Sequence, residues 1–347
     1  MKKLLLAILI PIFTYAYQPP QDVFFNGPFA ASDGGITQRK TFPFHFTVLY
    51  SSSNYVYKSD WTRRKTVITE NIHPYFSLKT GIFKWMDLTI GSGMIHTKQK
   101  SNKSISWTDT ALNAKFRIFK EGKYLPKANF AFTETVPSGK YNDLNKSKLS
   151  LDASGAGAFQ SMFGLNMSKT INLKRFPFQL LFNIMYSFPS KVEVFGYNAY
   201  GGINVNHQVT RGFVKPGKLF ITNLSIDISL TKKLDFSMDA IFANSSKIRF
   251  KGRFGVLIPG FHGSIPYESP TTPFFSSNNT IPLVPIIPSL GEIESITAPS
   301  STIISLTPSL GYAFSDKFNA LLTYWTSVAG RNTSAFNSIA LTLSYTF

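Results

Sequence analysis

The last residues of the chain, Ser338–Phe347, set small or polar side chains at alternate positions against Ile339, Leu341, Leu343, Tyr345 and Phe347. Period-two alternation marks a β-strand with one face in an apolar medium and the other in a polar one. The same rhythm recurs upstream. Phe178, Leu180, Phe182, Ile184, Tyr186 and Phe188 share one parity against Gln179, Asn183 and Ser187. Phe220, Thr222, Leu224, Ile226, Ile228 and Leu230 oppose Asn223, Ser225, Asp227 and Ser229, and Leu112, Ala114, Phe116 and Ile118 oppose Asn113, Lys115 and Arg117. The pattern predicts twelve strands, at 42–57, 67–80, 85–97, 107–119, 126–137, 152–170, 176–190, 218–230, 234–250, 302–314, 318–328 and 335–347.

Their connections alternate in length. Gly81–Lys84, Lys120–Leu125, Ile171–Arg175, Thr231–Lys233 and Ser315–Lys317 are short, and the links between them are mostly longer. A bare apolar edge strand at the end of a soluble sheet invites aggregation, whereas a closed barrel has no edge. The expected fold is therefore all-β: a transmembrane up-and-down antiparallel barrel with short periplasmic turns and long outer loops. An even strand count returns both termini to the periplasm. Tyr345 and the terminal Phe347 resemble the signal strand that the barrel assembly machinery recognises in outer-membrane proteins. Glu134 breaks the pattern by sharing parity with Phe130 and Phe132, which calls for either the outer interface or a bulge.

Met1-Lys2-Lys3 followed by the apolar run Leu4–Phe13 and Thr14-Tyr15-Ala16 reads as a signal peptide over 1–16. The run is too short to span a bilayer as a helix, which takes about 20 residues. The expected organisation is then a periplasmic segment at 17–41 and a barrel at 42–347, with a Pro-rich outer loop at 251–301. A mean hydropathy near zero suits strands whose lipid-facing and lumen-facing residues cancel. With no cysteine, disulfides, thiolate metal sites and thiol catalysis are excluded. Bacterial outer-membrane localisation follows, with the lipid bilayer and lipopolysaccharide as partners.

The formal charge of +18 falls mainly at the two rims rather than in the wall. Cations there suit docking on anionic headgroups, or a funnel for anionic solutes. Nucleic acid is not an expected partner, because the basic residues form no single stripe. On the lumenal parity lie His73, Lys79, Asp109, Lys115, Arg117, Asp227 and Asp239, a mixed-sign set that either orients a solute or pairs internally. The five histidines are scattered and no two have metal-ligand spacing, so neither metal nor cofactor is expected. Ser92 and His96 share one strand face but stand about 13 Å apart at 3.3 Å per residue, far beyond the reach of a nucleophile and its base. No catalytic residue is assigned and no enzyme is expected.

A family resemblance adds to this reading. Asp109-Thr110-Ala111-Leu112-Asn113-Ala114-Lys115-Phe116-Arg117 leads to Pro126–Phe132, then to Val136-Pro137-Ser138-Gly139-Lys140-Tyr141. The late strand carries Thr307-Pro308-Ser309-Leu310-Gly311-Tyr312, followed by Val328-Ala329-Gly330-Arg331-Asn332. This order resembles the outer-membrane barrel transporters of the phenol meta-cleavage degradation pathway, from about Trp85 to Phe347. Thr108 stands where that family favours glycine, and Ser138 where it favours threonine. The resemblance implies a barrel and an uptake role for small, hydrophobic or aromatic solutes. The competing expectation is a non-transport surface barrel whose basic loops serve adhesion or lipopolysaccharide contact.

The 251–301 loop combines eight prolines with apolar residues such as Phe261, Phe274, Phe275 and Pro285. Proline at this density should suppress regular structure, and a disordered segment would be more polar. The expectation is an apolar constriction folded over or into the mouth, or equally a cap packed on the neighbouring loops. Deleting Gly260–Pro288 should raise single-channel conductance in a planar bilayer, and unchanged conductance and uptake would rule the constriction out.

Overall fold

The computed structural model describes residues 25–32, 35–148, 151–172, 177–201, 204–205, 208–253, 264–269, 272–280 and 293–347. The expected signal peptide lies outside them. Twelve strands form the wall: β1 Pro43–Tyr57, β2 Arg63–Phe83, β3 Met86–Gln99, β4 Thr110–Phe119, β5 Lys127–Val136, β6 Gln160–Ile171, β7 Phe178–Pro189, β8 Leu219–Ser229, β9 Leu234–Ser245, β10 Ser301–Ala313, β11 Phe318–Arg331 and β12 Thr333–Thr346. Each pairs antiparallel with its sequence neighbours, and β12 pairs with β1 from Pro43↔Thr346 to Tyr57↔Thr333. That last ladder closes the sheet. The chain is a closed antiparallel β-barrel.

Closure turns alternation into two environments. Leu88, Ile90, Leu112, Leu224, Leu322, Ile339 and Leu341 are exposed on the outer face. Asn129, Thr133, Asn166, Asn183, Asn223 and Ser225 are buried on the inner one. Aromatic rings gather near the turns, with Phe83 stacked on Trp85 at 5.2 Å and Phe314 on Phe318 at 5.1 Å. Tyr345 and Phe347 meet edge to face at 4.9 Å in the same belt. Such girdles mark the levels where a barrel wall leaves the hydrocarbon.

Several details differ from expectation. The sixth strand starts at Gln160, not at 152, because 151–158 is a run of small residues packed under the outer loops. Gly157 there adopts φ +65° with the Tyr141 ring so close that a Cβ would fall 2.4 Å from it. The expected 234–250 strand breaks at 246–247. Beyond the break, Ile248–Arg253 pairs with Ile293–Ala298 and with Arg211–Lys215, which pairs in turn with Val192–Phe195. This four-stranded sheet prolongs β7–β10 above the wall in a segment read as loops.

Proline also did not abolish structure in the long loop. Ser264–Ser269 and Thr272–Thr280 form a hairpin that includes Pro266 and Pro273, because a two-stranded ribbon leaves outer N–H positions that need no partner. Phe274 and Phe275 lie in its second strand, whereas Phe261 and Pro285 lie outside the described residues. The final outer connection is a tight turn at Asn332, φ +52°. Glu134 needs no bulge: its register is unbroken, and it accepts a hydrogen bond from Ser161 Oγ at 2.6 Å near the outer rim.

Leu224 sits mid-strand on β8 with 56% of its surface exposed. Leu224→Arg should cost about 2–4 kcal/mol if that face meets hydrocarbon. Urea titration of the barrel folded in lipid vesicles measures the loss, and Ser225→Arg on the same strand would report the lumenal face instead.

Candidate functional site

From the periplasmic end outward, the inner faces of β8 and β9 read Asp227, Ser225, Asn223, Ile221, Leu219 and Asp235, Ser237, Asp239, Ile241, Ala243. The lumen therefore has two layers. The outer layer is apolar, with Ile221, Ile241, Ile303, Met162, Met185 and Trp325 in one cluster. Trp325 meets its single polar demand by donating Nε1–H to Ser305 Oγ at 2.9 Å. The inner layer is acidic and polar.

Residues 25–32 enter that inner layer. The segment expected at the periplasm does not stop there but lies along the lumen. Asn26 N–H donates to Asp235 Oδ2 at 2.9 Å, Gly27 N–H to Asp227 Oδ2 at 3.2 Å and Ala30 N–H to Asp239 Oδ2 at 3.3 Å. Ser32 N–H reaches Asn183 Oδ1 at 3.0 Å, and Asn183 Nδ2 returns a bond to Ser32 O at 2.8 Å. Further on, Thr37 N–H donates to Asp87 Oδ2 at 2.9 Å, and Arg39 bridges Gly81 of β2. The Phe29 ring lies 6.1 Å from Trp325 and joins the apolar layer.

Each side of this arrangement answers a need of the other. An extended segment outside any ladder must find acceptors for its N–H groups. Carboxylates buried without water must find donors. Gly27 fits for a second reason: its φ of +87° lies in the region that favours glycine. On the wall, a Cβ at Gly311 would fall 2.0 Å from Asp235 Oδ1, so the glycine of the Pro308-Ser309-Leu310-Gly311 run makes room for that carboxylate.

Beside the segment remains a cavity of about 430 Å³. Its lining includes Phe29, His45, Tyr75, Asn113, Lys115, Asn166, Asn183 and Met185, and contains no Asp or Glu among the described residues. It is mixed in character, with amides and hydroxyls on much of its wall and Met185, Leu321 and Phe29 supplying apolar patches.

The candidates read from sequence scatter into different roles. Lys115 lines the cavity and donates from Nζ to Ser32 Oγ. Asp227 and Asp239 hold the segment, and Asp239 also accepts from Ser225 Oγ and, at 3.3 Å, from Asn223 Nδ2. Lys79 forms an ion pair with Asp87 at 3.1 Å. His73 is buried in β2 with its ring 6.0 Å from Tyr75. Arg117 is half-buried near the periplasmic end of β4 and is not part of the cavity lining.

Asp109 serves the outer loops. Its carboxylate accepts from Gly139 N–H at 2.8 Å and Ala156 N–H at 2.9 Å, while Ser138 Oγ donates to Thr108 O at 3.2 Å. The two early motifs of the family resemblance thus meet as one staple. Sequence reasoning missed Asp235 and Asp87, although Asp235 shares the inward parity of Asp239, and it placed Asn183 on the polar parity of its strand without assigning it a role. It also missed the segment itself, which carries no alternation to find.

No family model matches the chain, and no curated protein does. Among solved structures it is similar to the COG4313 outer membrane channel from Pseudomonas putida F1, with TM-score 0.61 and 8% identity over 93% of this chain and 100% of that one. The NanC porin aligns at TM-score 0.43 and 8% identity over 87% of this chain and 98% of that one. The transport unit of the Escherichia coli autotransporter AIDA-I aligns at 0.42 and 10% identity, over 89% and 91%. The first likeness is one of fold, and it agrees with the closed wall, apolar exterior and aromatic belts. The chain is a β-barrel of the bacterial outer membrane.

Asp239→Ala would strand the Ala30, Ser225 and Asn223 donors, at about 1–3 kcal/mol for a buried group left unmet. Hydrogen exchange by mass spectrometry should show faster exchange over residues 26–30, with the β1–β12 ladder unchanged.

Proposed function

We propose that this protein is an outer-membrane channel for passive uptake of small solutes, hydrophobic and aromatic ones among them, with residues 25–32 as its constriction. The observation that carries this reading is the cavity of about 430 Å³ lying beside a segment tied mainly by hydrogen bonds to wall side chains rather than woven into the wall by a ladder. A solute entering from outside meets the apolar Ile221–Ile241–Trp325 layer first and the polar cavity second. That order suits a molecule with an apolar body and a polar group. The resemblance to the phenol meta-cleavage barrels supports aromatic solutes by analogy alone. Export through 1–16 and recognition of Tyr345 and Phe347 by the barrel assembly machinery belong to the same proposal.

The segment is the place to test it. Gly27→Pro removes the donor to Asp227 and demands a φ near −65° where the chain holds +87°. In planar bilayers this variant, and a chain lacking 25–32, should conduct several-fold more than the parent. Proteoliposome swelling with graded solutes should rise in parallel. No flux of any solute through either variant would overturn the channel in favour of a surface barrel that presents basic loops for adhesion or lipopolysaccharide contact.

A further inference from the structure

The four-stranded sheet above β7–β10 has two unlike faces. Val192, Val194, Val214 and Phe250 turn inward and pack with Ala156 and Ala158. The opposite face is exposed and basic. Register fixes its pattern: Arg211 stands directly opposite Arg253, Lys215 opposite Arg249, and Lys251 opposite Phe213. All five cations are exposed, and Glu193 is the acid on that face among the side chains described. It lies 3.9 Å from Arg211, with both side chains mostly in solvent, so the pair contributes little.

Like charges directly across a strand pair destabilise it. Two such pairs on one short sheet cost the fold something that its inner face must offset, unless an anion bridges them. The position says which anion. This face continues the lipid-facing exterior of the barrel, immediately above the Phe188 and Tyr186 rings, which meet at 4.8 Å near the outer end of β7. Lys218 sits at the junction, with Nζ 5.0 Å from the Phe188 ring, and Lys191 Nζ lies 3.8 Å over Phe213. Phe195 and Phe213 stay 42% and 43% exposed among the cations. Paired guanidinium and ammonium groups above an aromatic belt match phosphates carried on an acylated headgroup. Arginine's planar fork suits the phosphate, and the rings suit the sugar and acyl boundary.

We infer that this face is a binding site for the phosphorylated glycolipid of the outer leaflet: lipid A phosphates seated between Arg211/Arg253 and Lys215/Arg249, with the acyl chains running down the wall of β7–β9. The site is separate from the lumen and stands whether or not the channel conducts.

The test uses the full barrel in detergent micelles, titrated with diphosphoryl lipid A and with a dephosphorylated lipid A of the same acylation, read by native mass spectrometry. The parent should bind the diphosphoryl lipid at least tenfold more tightly than the phosphate-free one. Arg211→Gln/Arg253→Gln and Lys215→Gln/Arg249→Gln should each lose that margin, while Lys58→Gln/Lys65→Gln at the β1–β2 end should not. Heat-modifiable migration on gels confirms that each variant is folded. Equal binding of the two lipids, or unchanged affinity in both double variants, would overturn the site. Displacement of the lipid by millimolar inorganic phosphate would reduce it to a simple anion patch and likewise overturn a glycolipid site.

Discussion

A backbone N–H or C=O left unpaired in hydrocarbon costs several kcal/mol, and water is not there to take its place. The β12–β1 ladder is the answer to that constraint in this chain. Without it, Pro43–Tyr57 and Thr333–Thr346 would face lipid with open edges, and the two media that alternation requires would not exist. Closure also creates the interior. Once the sheet is sealed, every inward side chain must be satisfied by another inward side chain, by water or by something threaded through the lumen.

Residues 25–32 are that threaded element. The acidic ladder of Asp235, Asp227 and Asp239 would be difficult to bury alone, and the segment's N–H groups would be difficult to bury alone. Together they form a plug held by directional but individually modest bonds, each worth about 0.5–3 kcal/mol net. The wall strands are held differently: each lies between two antiparallel neighbours in backbone ladders, with register shifts such as Ser53/Tyr55 and Ile304/Ser305 the local exceptions.

The outer surface follows different physics. Asp109, Gly139 and Ala156 tie the outer loop to the rim, and the sheet beyond β7–β10 leaves hydrocarbon and carries charge. Where the wall meets lipid, a cation would cost energy, so the exposed face is Leu, Ile and Phe. One strand-length higher, the same face turns to Arg and Lys. The change in side-chain chemistry along one continuous surface records the change of solvent.

Much of this was legible without coordinates. Strict alternation in Ser338–Phe347, Phe178–Phe188 and Phe220–Leu230 determined strand, facing and barrel, because a period of two has one geometric meaning and lipid tolerates no mixed face. Short turns and inward aspartates followed from the same parity. The stretch at 151–158 misled, since small residues suit a loop packed against neighbours as well as a strand. The role of Asp109 was also hidden: parity gave its direction, but its partners lie 30 and 47 residues away. Least visible was the course of 25–32. Its contacts are made by backbone amides, which every residue carries, to carboxylates about 200 positions away. Local sequence determines what a segment can do with its own side chains; only the closed barrel decides where a plain backbone finds its acceptors.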